Sequence, residues 1–142
     1  MGVRVQAAAF DPWREVLTYQ EAQGDLAGKF GATTVFVGCL RDFNQGHPVA
    51  AMTLEHYPGM TEKHLERVSA EAGQRWEILD SLVIHRVGPL LPNDPIVLVA
   101  VWSTHRDTAF QACRYIIDEL KTRAPFWKQE QTPDGQRWVV PE

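Results

Sequence analysis

The apolar positions of this chain fall into segments of two periods, and those segments read as alternating strands and helices. Residues 3 to 8 predict a short strand. Asp11 and Pro12 supply an N-cap and a first-turn proline for a helix through about Gln20, followed by a loop holding Gly24, Gly28 and Gly31. Residues 32 to 41, ATTVFVGCLR, are β-branched and apolar with a break at Gly38, the pattern of a strand with a bulge or a close backbone approach. Asn44, Gly46 and Pro48 predict a loop, and residues 49 to 56 a second strand. Pro58 and Gly59 then turn the chain into a helix whose apolar positions, Met60, Leu65, Val68, Ala72 and Trp76, are helically spaced.

Residues 81 to 88 and 96 to 102 predict strands joined by PLLPNDP. IVLVAVW is apolar throughout, as a centrally buried strand is. Residues 103 to 107 open a long helix with one apolar stripe of Ala109, Cys113, Ile116, Ile117 and Leu120. Pro125 lacks a donor and restricts Ala124, so this helix is expected to stop near Thr122 or Arg123, leaving Lys128 on an extended segment. Residues 127 to 140, with Pro133, Asp134 and Gly135 in the middle, predict a hairpin. The fold class expected is α+β: a single domain with a mostly antiparallel sheet, flanking helices and a C-terminal hairpin.

Composition narrows the function. With 142 residues and 44% hydrophobic content the chain can bury a core as one domain. Two cysteines, Cys39 and Cys113, are too few for a disulfide framework, and no Cys/His spacing suits zinc, so a reducing cytoplasm is expected. The opening MGVRVQAAAF has no long apolar run behind a basic flank, and no stretch approaches the ~20 apolar residues that cross a bilayer. Neither a leader nor a membrane span is expected. A net charge of −4 argues against broad capture of nucleic acid. Between His105 and Lys128, however, five basic residues outnumber three acidic ones, a local +2 in an acidic chain. That imbalance points to a small anionic ligand.

The candidate chemistry lies at Arg41, His105 with Arg106, Lys121 and Lys128. A lysine in a last helical turn is usually a solvated cap, so Lys121 taken alone carries little weight. His105 and Arg106 at a helix N-terminus form a credible anion site, with Asp107 as a simple cap the blander reading. Fifteen residues separate Arg106 from Lys121, which places them about 22 Å apart on a continuous helix. They can serve one small ligand only if each comes from a different subunit of a homodimer. Cys39, on a strand, reads as a small buried hydrophobe before it reads as a persulfide carrier; Cys113 belongs to the core. His47, His56, His64 and His85 are scattered and suggest no metal site. Glu55 and His56, adjacent on a strand, point to opposite faces. Phe126, Trp127 and Trp138 are expected to pack the terminal hairpin, although Phe126 and Trp127 beside Lys128 could line a heterocycle pocket.

The runs VFVGCLRDFN, LEHYPGMTEKHLE, VIHRVGPLLPNDPIVLVAV, STHRDTAFQACRYIIDELKTRAPFWKQE and PDGQRWV resemble, in order and spacing, the large catalytic subunit of molybdopterin synthase. The likeness runs from about Thr33 to Val139. KTRAPFWK is its most specific element. The resemblance implies one α/β hammerhead catalytic-subunit domain over residues 1–142. It implies transfer of two sulfurs to cyclic pyranopterin monophosphate, called precursor Z, to make the molybdopterin dithiolene of the molybdenum cofactor. The sulfur donor would be the C-terminal glycine thiocarboxylate of a small ubiquitin-like sulfur-carrier subunit, and the assembly a homodimer within a heterotetramer. No cofactor or metal is implied, nor any nucleic-acid or membrane partner.

Carried onto this chain, the resemblance makes Lys121 and Lys128 catalytic. Its substrate contacts fall on Cys39, Leu40, Arg41, His105, Arg106, Lys121, Lys128, Gln129 and Glu130. Cys39 stands where the family often has lysine, so its contact would be through the backbone. Substrate phosphate and thiocarboxylate are both anionic, which suits Arg41, His105, Arg106 and Lys128. Burial among positive neighbours would let Lys121 exchange protons near neutral pH as general acid and base. Two other readings remain at this point: a phosphate-ester hydrolase using the same cations, and a non-catalytic anion-binding subunit.

Overall fold

The structure is a computed structural model in which residues 1–123 and 126–139 are described. The elements in chain order are β1 (Gly2–Gln6), α1 (Pro12–Ala22), a 3-10 turn (Gly24–Leu26), β2 (Ala32–Cys39), the short strands β3 (Phe43–Asn44) and β4 (His47–Pro48), and β5 (Ala51–His56). The chain continues with α2 (Met60–Arg75), β6 (Asp80–Arg86), β7 (Gly88–Leu90), β8 (Pro95–Ser103), α3 (Arg106–Arg123), β9 (Phe126–Thr132) and β10 (Gly135–Trp138). The α+β class and the terminal hairpin are as expected. The break assigned to Pro125, the end of the hairpin at Val140 and the packing of the Trp127 side chain lie outside the described residues.

The strands form two four-stranded sheets and a small ribbon. The first has the order β1-β6-β8-β2, antiparallel except for the parallel pair β1 and β6; the second runs β10-β9-β5-β7, antiparallel throughout. The alternation of β8 explains why its sequence is apolar without interruption. Val97, Val99 and Val101 pack with Leu65, Val68 and Ala72 of α2 and the stripe of α3, while Leu98, Ala100 and Trp102 pack on the other face near α1. Every one of these residues is buried, and each large aliphatic side chain so removed from water stabilises the fold by roughly 1.5–3 kcal/mol.

The segment 81 to 88, expected as one strand, serves both sheets. Gly88 adopts φ +81, a conformation that glycine reaches without strain, and there the chain leaves the first sheet as β6 and enters the second as β7. A third apolar cluster, including Leu40, Met52, Leu54, Val87 and Leu90, fills the junction of the two sheets. Two core expectations are corrected. Met60 is 60% exposed because it opens α2 on the solvent side, and Trp138 is 58% exposed at the sheet edge instead of packing the hairpin. Among the described residues no helix is long and apolar enough to cross a membrane.

Candidate active site

A cleft of about 280 Å³ opens where the end of α3, the end of β2 and the strand β9 converge. Its position follows from three local features. First, β2 has a bulge between Gly38 and Cys39, opposite Val97 and Pro95 of β8, and this bends Cys39, Leu40 and Arg41 away from the sheet. The bulge expected at Gly38 is therefore present. It also corrects the reading of Cys39, which is exposed at the cleft rim. Second, α3 ends at Arg123, as its sequence predicts, and presents Ile117, Leu120, Lys121 and Thr122. Third, alternate residues of β9, Phe126, Lys128 and Glu130, line the cleft as one face of a strand requires.

Six of the nine expected site residues thus meet: Cys39, Leu40, Arg41, Lys121, Lys128 and Glu130. Gln129 does not line the cleft, because it occupies the other face of β9, paired across from Thr53. His105 and Arg106 lie at the opposite end of the unbroken helix α3 and do not reach the cleft of their own chain. There the Thr108 hydroxyl donates to the His105 carbonyl at 3.0 Å, while Asp107 accepts from the Gln111 side chain at 2.7 Å inside the first turn. Asp107 is therefore not occupied as the cap.

The two basic residues that end α3 behave differently. Arg123 is committed to ion pairs with Glu119 and, at 3.1 Å, with Glu71 of α2. Lys121 has no ion pair among the described residues and turns to the cleft instead. It is exposed, so the burial expected of it is absent.

Glu130 is the most deeply buried charged group here, 1% exposed. Its Oε2 accepts from Asn44 Nδ2 at 2.8 Å, and Arg137 Nη2 lies 2.7 Å from Oε1, an ion pair whose angle is outside hydrogen-bond geometry. Arg41 Nη2 donates to Asn44 Oδ1 at 3.4 Å. Asn44 and Arg137 are residues that sequence reasoning did not single out, and only their partnership across 86 and 93 positions of chain reveals them.

His85 is another residue of the cleft that the sequence pattern does not single out. It is 8% exposed on β6, lines the cleft, and stacks on Phe126 with ring centroids 4.0 Å apart. Burial pushes its pKa down to about 4, reinforced by the nearby charges of Lys128 and His56 and opposed by its hydrogen bond to the Arg86 carbonyl. Among the described residues no group of His, Cys, Asp and Glu could hold a metal ion.

Fold and cleft together define an α+β protein with a partly apolar pocket, walled by one aromatic pair and rimmed by three cations. The model of the MoaE protein family matches residues 6–123. The chain is 52% identical over 98% of its length to a molybdopterin synthase catalytic subunit of Pseudomonas aeruginosa, covering 90% of that protein. Among solved structures it is similar to a molybdopterin biosynthesis MoaE protein from Burkholderia ambifaria, with a TM-score of 0.81, 51% identity, and coverage of 97% of this chain and 88% of that one. It is also similar to a molybdopterin synthase from Staphylococcus aureus, with a TM-score of 0.84, 31% identity and coverage of 96% and 95%. The chain belongs to the MoaE family, and its relatives at this level of identity are the catalytic subunits of a sulfur-transferring enzyme of molybdopterin biosynthesis.

Proposed function

We propose that residues 1–142 act as one catalytic-subunit domain of a molybdopterin synthase, and that the cleft between α3 and β9 is where sulfur reaches cyclic pyranopterin monophosphate. The observation that carries this is the convergence of Lys121, Lys128 and Arg41 from three separate elements on one pocket. Three cations on one side offset the repulsion between an anionic substrate and an anionic thiocarboxylate. Arg41 and Lys128 hold the anionic groups, while Cys39 and Leu40 contribute backbone at the rim.

Lys121 is the general acid and base. It protonates the oxygen displaced from the pterin side chain as the thiocarboxylate sulfur bonds to carbon, and water then hydrolyses the acyl link to the partner's terminal glycine. The partner is a small ubiquitin-like carrier, and the setting is the cytoplasm, in line with two cysteines that form no disulfide. His105 and Arg106 complete the pocket of the other subunit in a homodimer, since α3 carries them away from their own cleft. The test mixes the protein, the precursor and thiocarboxylated partner and follows molybdopterin. Lys121→Ala is expected to abolish product with partner binding intact; full activity of that variant removes this reading.

A further inference from the structure

His85 takes no part in the chemistry just set out, yet it sits on the cleft floor with a hydrogen-bonding atom to spare. Its neighbours across the first sheet are Val5 and Val97, and Phe126 covers one face of the ring. Nδ1 lies 2.8 Å from the Arg86 carbonyl. A carbonyl oxygen can only accept, so Nδ1 carries the proton and Nε2 of the neutral ring is a bare acceptor. Nε2 has no hydrogen-bond partner among the described residues, and His85 is one of the residues that line the cleft.

The other polar heads of the cleft are of different kinds. Arg41, Lys121 and Lys128 are charged donors, and Glu130 is held between Asn44 and Arg137. We propose that His85 is a specificity-determining residue for the sulfur transfer: its Nε2 accepts a hydrogen bond from an N–H or O–H group on the heterocycle, while the cations hold the anionic end of the same molecule. This rests on the site reading above. The low basicity of the ring, caused by burial and by Lys128 on β9 and His56 on β5, keeps that acceptor available throughout the neutral range. A hydroxyl or amide side chain would bring a donor as well. An imidazole whose only N–H is spent on Arg86 offers an acceptor alone, and so rejects a ligand that presents a lone pair at that point.

Cyclic pyranopterin monophosphate alone is titrated calorimetrically into four proteins: wild type, His85→Phe, His85→Asn and His85→Gln. His85→Phe keeps the ring against Phe126 and loses the acceptor. His85→Asn keeps an amide beside Arg86 and places nothing at Nε2, whereas His85→Gln brings an amide oxygen close to that position. The Phe and Asn variants are expected to bind about tenfold more weakly, with a matching rise in KM, and the Gln variant to retain most of the affinity. In turnover with thiocarboxylated partner, kcat at saturating substrate should stay within about twofold. Wild-type affinity in whichever of the Phe and Asn variants folds overturns the proposal. So does a fall in kcat at unchanged KM, which would place His85 on Lys128 instead of on the substrate. Activity of Lys121→Ala, measured in the same series, reports on the wider reading separately: it can remain full while the His85 variants still lose affinity.

Discussion

Glu130 Oε2 accepts a 2.8 Å hydrogen bond from Asn44 Nδ2, and this contact joins the strand that carries Lys128 to the short strand β3 that follows Arg41. Arg137 tightens the same junction by donating to the Asn44 carbonyl at 2.9 Å and to Gln45 Oε1 at 3.2 Å, next to its ion pair with Glu130. Arg41 joins the same cluster through its hydrogen bond to Asn44 Oδ1.

Removing Arg137 leaves a carboxylate buried without its counter-charge. Arg137→Ala is expected to destabilise the protein by about 3 kcal/mol, and Arg137→Ala with Glu130→Gln by clearly less, because the second change removes the stranded charge. Urea unfolding of the two variants checks this. Equal losses would mean that the pair contributes through packing alone.

Charge and proton exchange can be separated at the two lysines. Lys121→Arg keeps the positive charge at the end of α3 but cannot give up a proton near neutral pH, so it should lose activity nearly as completely as Lys121→Ala, by at least ~100-fold in kcat. Lys128→Arg should retain much of its function, with the loss in Lys128→Ala falling mainly on KM. Steady-state kinetics on the four variants decides. An active Lys121→Arg would make Lys121 a charge and nothing more.

The sequence carried much of this arrangement, for identifiable reasons. The stripe of α3 and the unbroken apolar run of β8 report burial directly, and both elements lie where the pattern puts them. Gly38 marked its bulge because a glycine weakens a β-branched strand and is placed there mainly where the strand bulges or another backbone comes close. What periodicity cannot encode is which strands pair. The division into two sheets turns on Gly88, and the exposure of Cys39 follows from the bulge it sits beside. His85 looked like one of several scattered histidines, since nothing local shows that Phe126, 41 residues later, closes over it. Asn44 and Arg137 are equally silent until the hairpin folds back on β3.

The His85 ring also makes stability depend on pH. Its ordinary value of 6.5 falls to about 4 in the folded protein. Above pH 6.5 the ring is neutral in both states and contributes no pH dependence. As pH falls from 6.5 towards 4 the unfolded chain takes up a proton that the folded chain refuses, so stability drops, by roughly 3 kcal/mol once both states are charged. His85→Phe should flatten this acid limb between pH 6.5 and 4. Denaturation midpoints across that range, compared between variant and wild type, measure it, and parallel curves would remove His85 as the cause.

The position of His105 and Arg106 leads to a stricter test, because it concerns the assembly. Both sit at the start of α3 and Lys121 in its last turn, so no single chain can bring them to one ligand. If the pocket is shared between two subunits, Arg106→Ala and Lys121→Ala each inactivate a homodimer by damaging different halves of the same site. A hybrid of the two variants then has one pocket missing both groups and one pocket with both intact. Unfolding and refolding the variants together at equal concentration makes about half of the dimers hybrids, and activity should return to about a quarter of wild type. Were the site contained in one chain, every pocket in the mixture would lack one group, and activity would stay at the level of the separate variants. The rise on mixing therefore distinguishes the two arrangements without any structure of the complex.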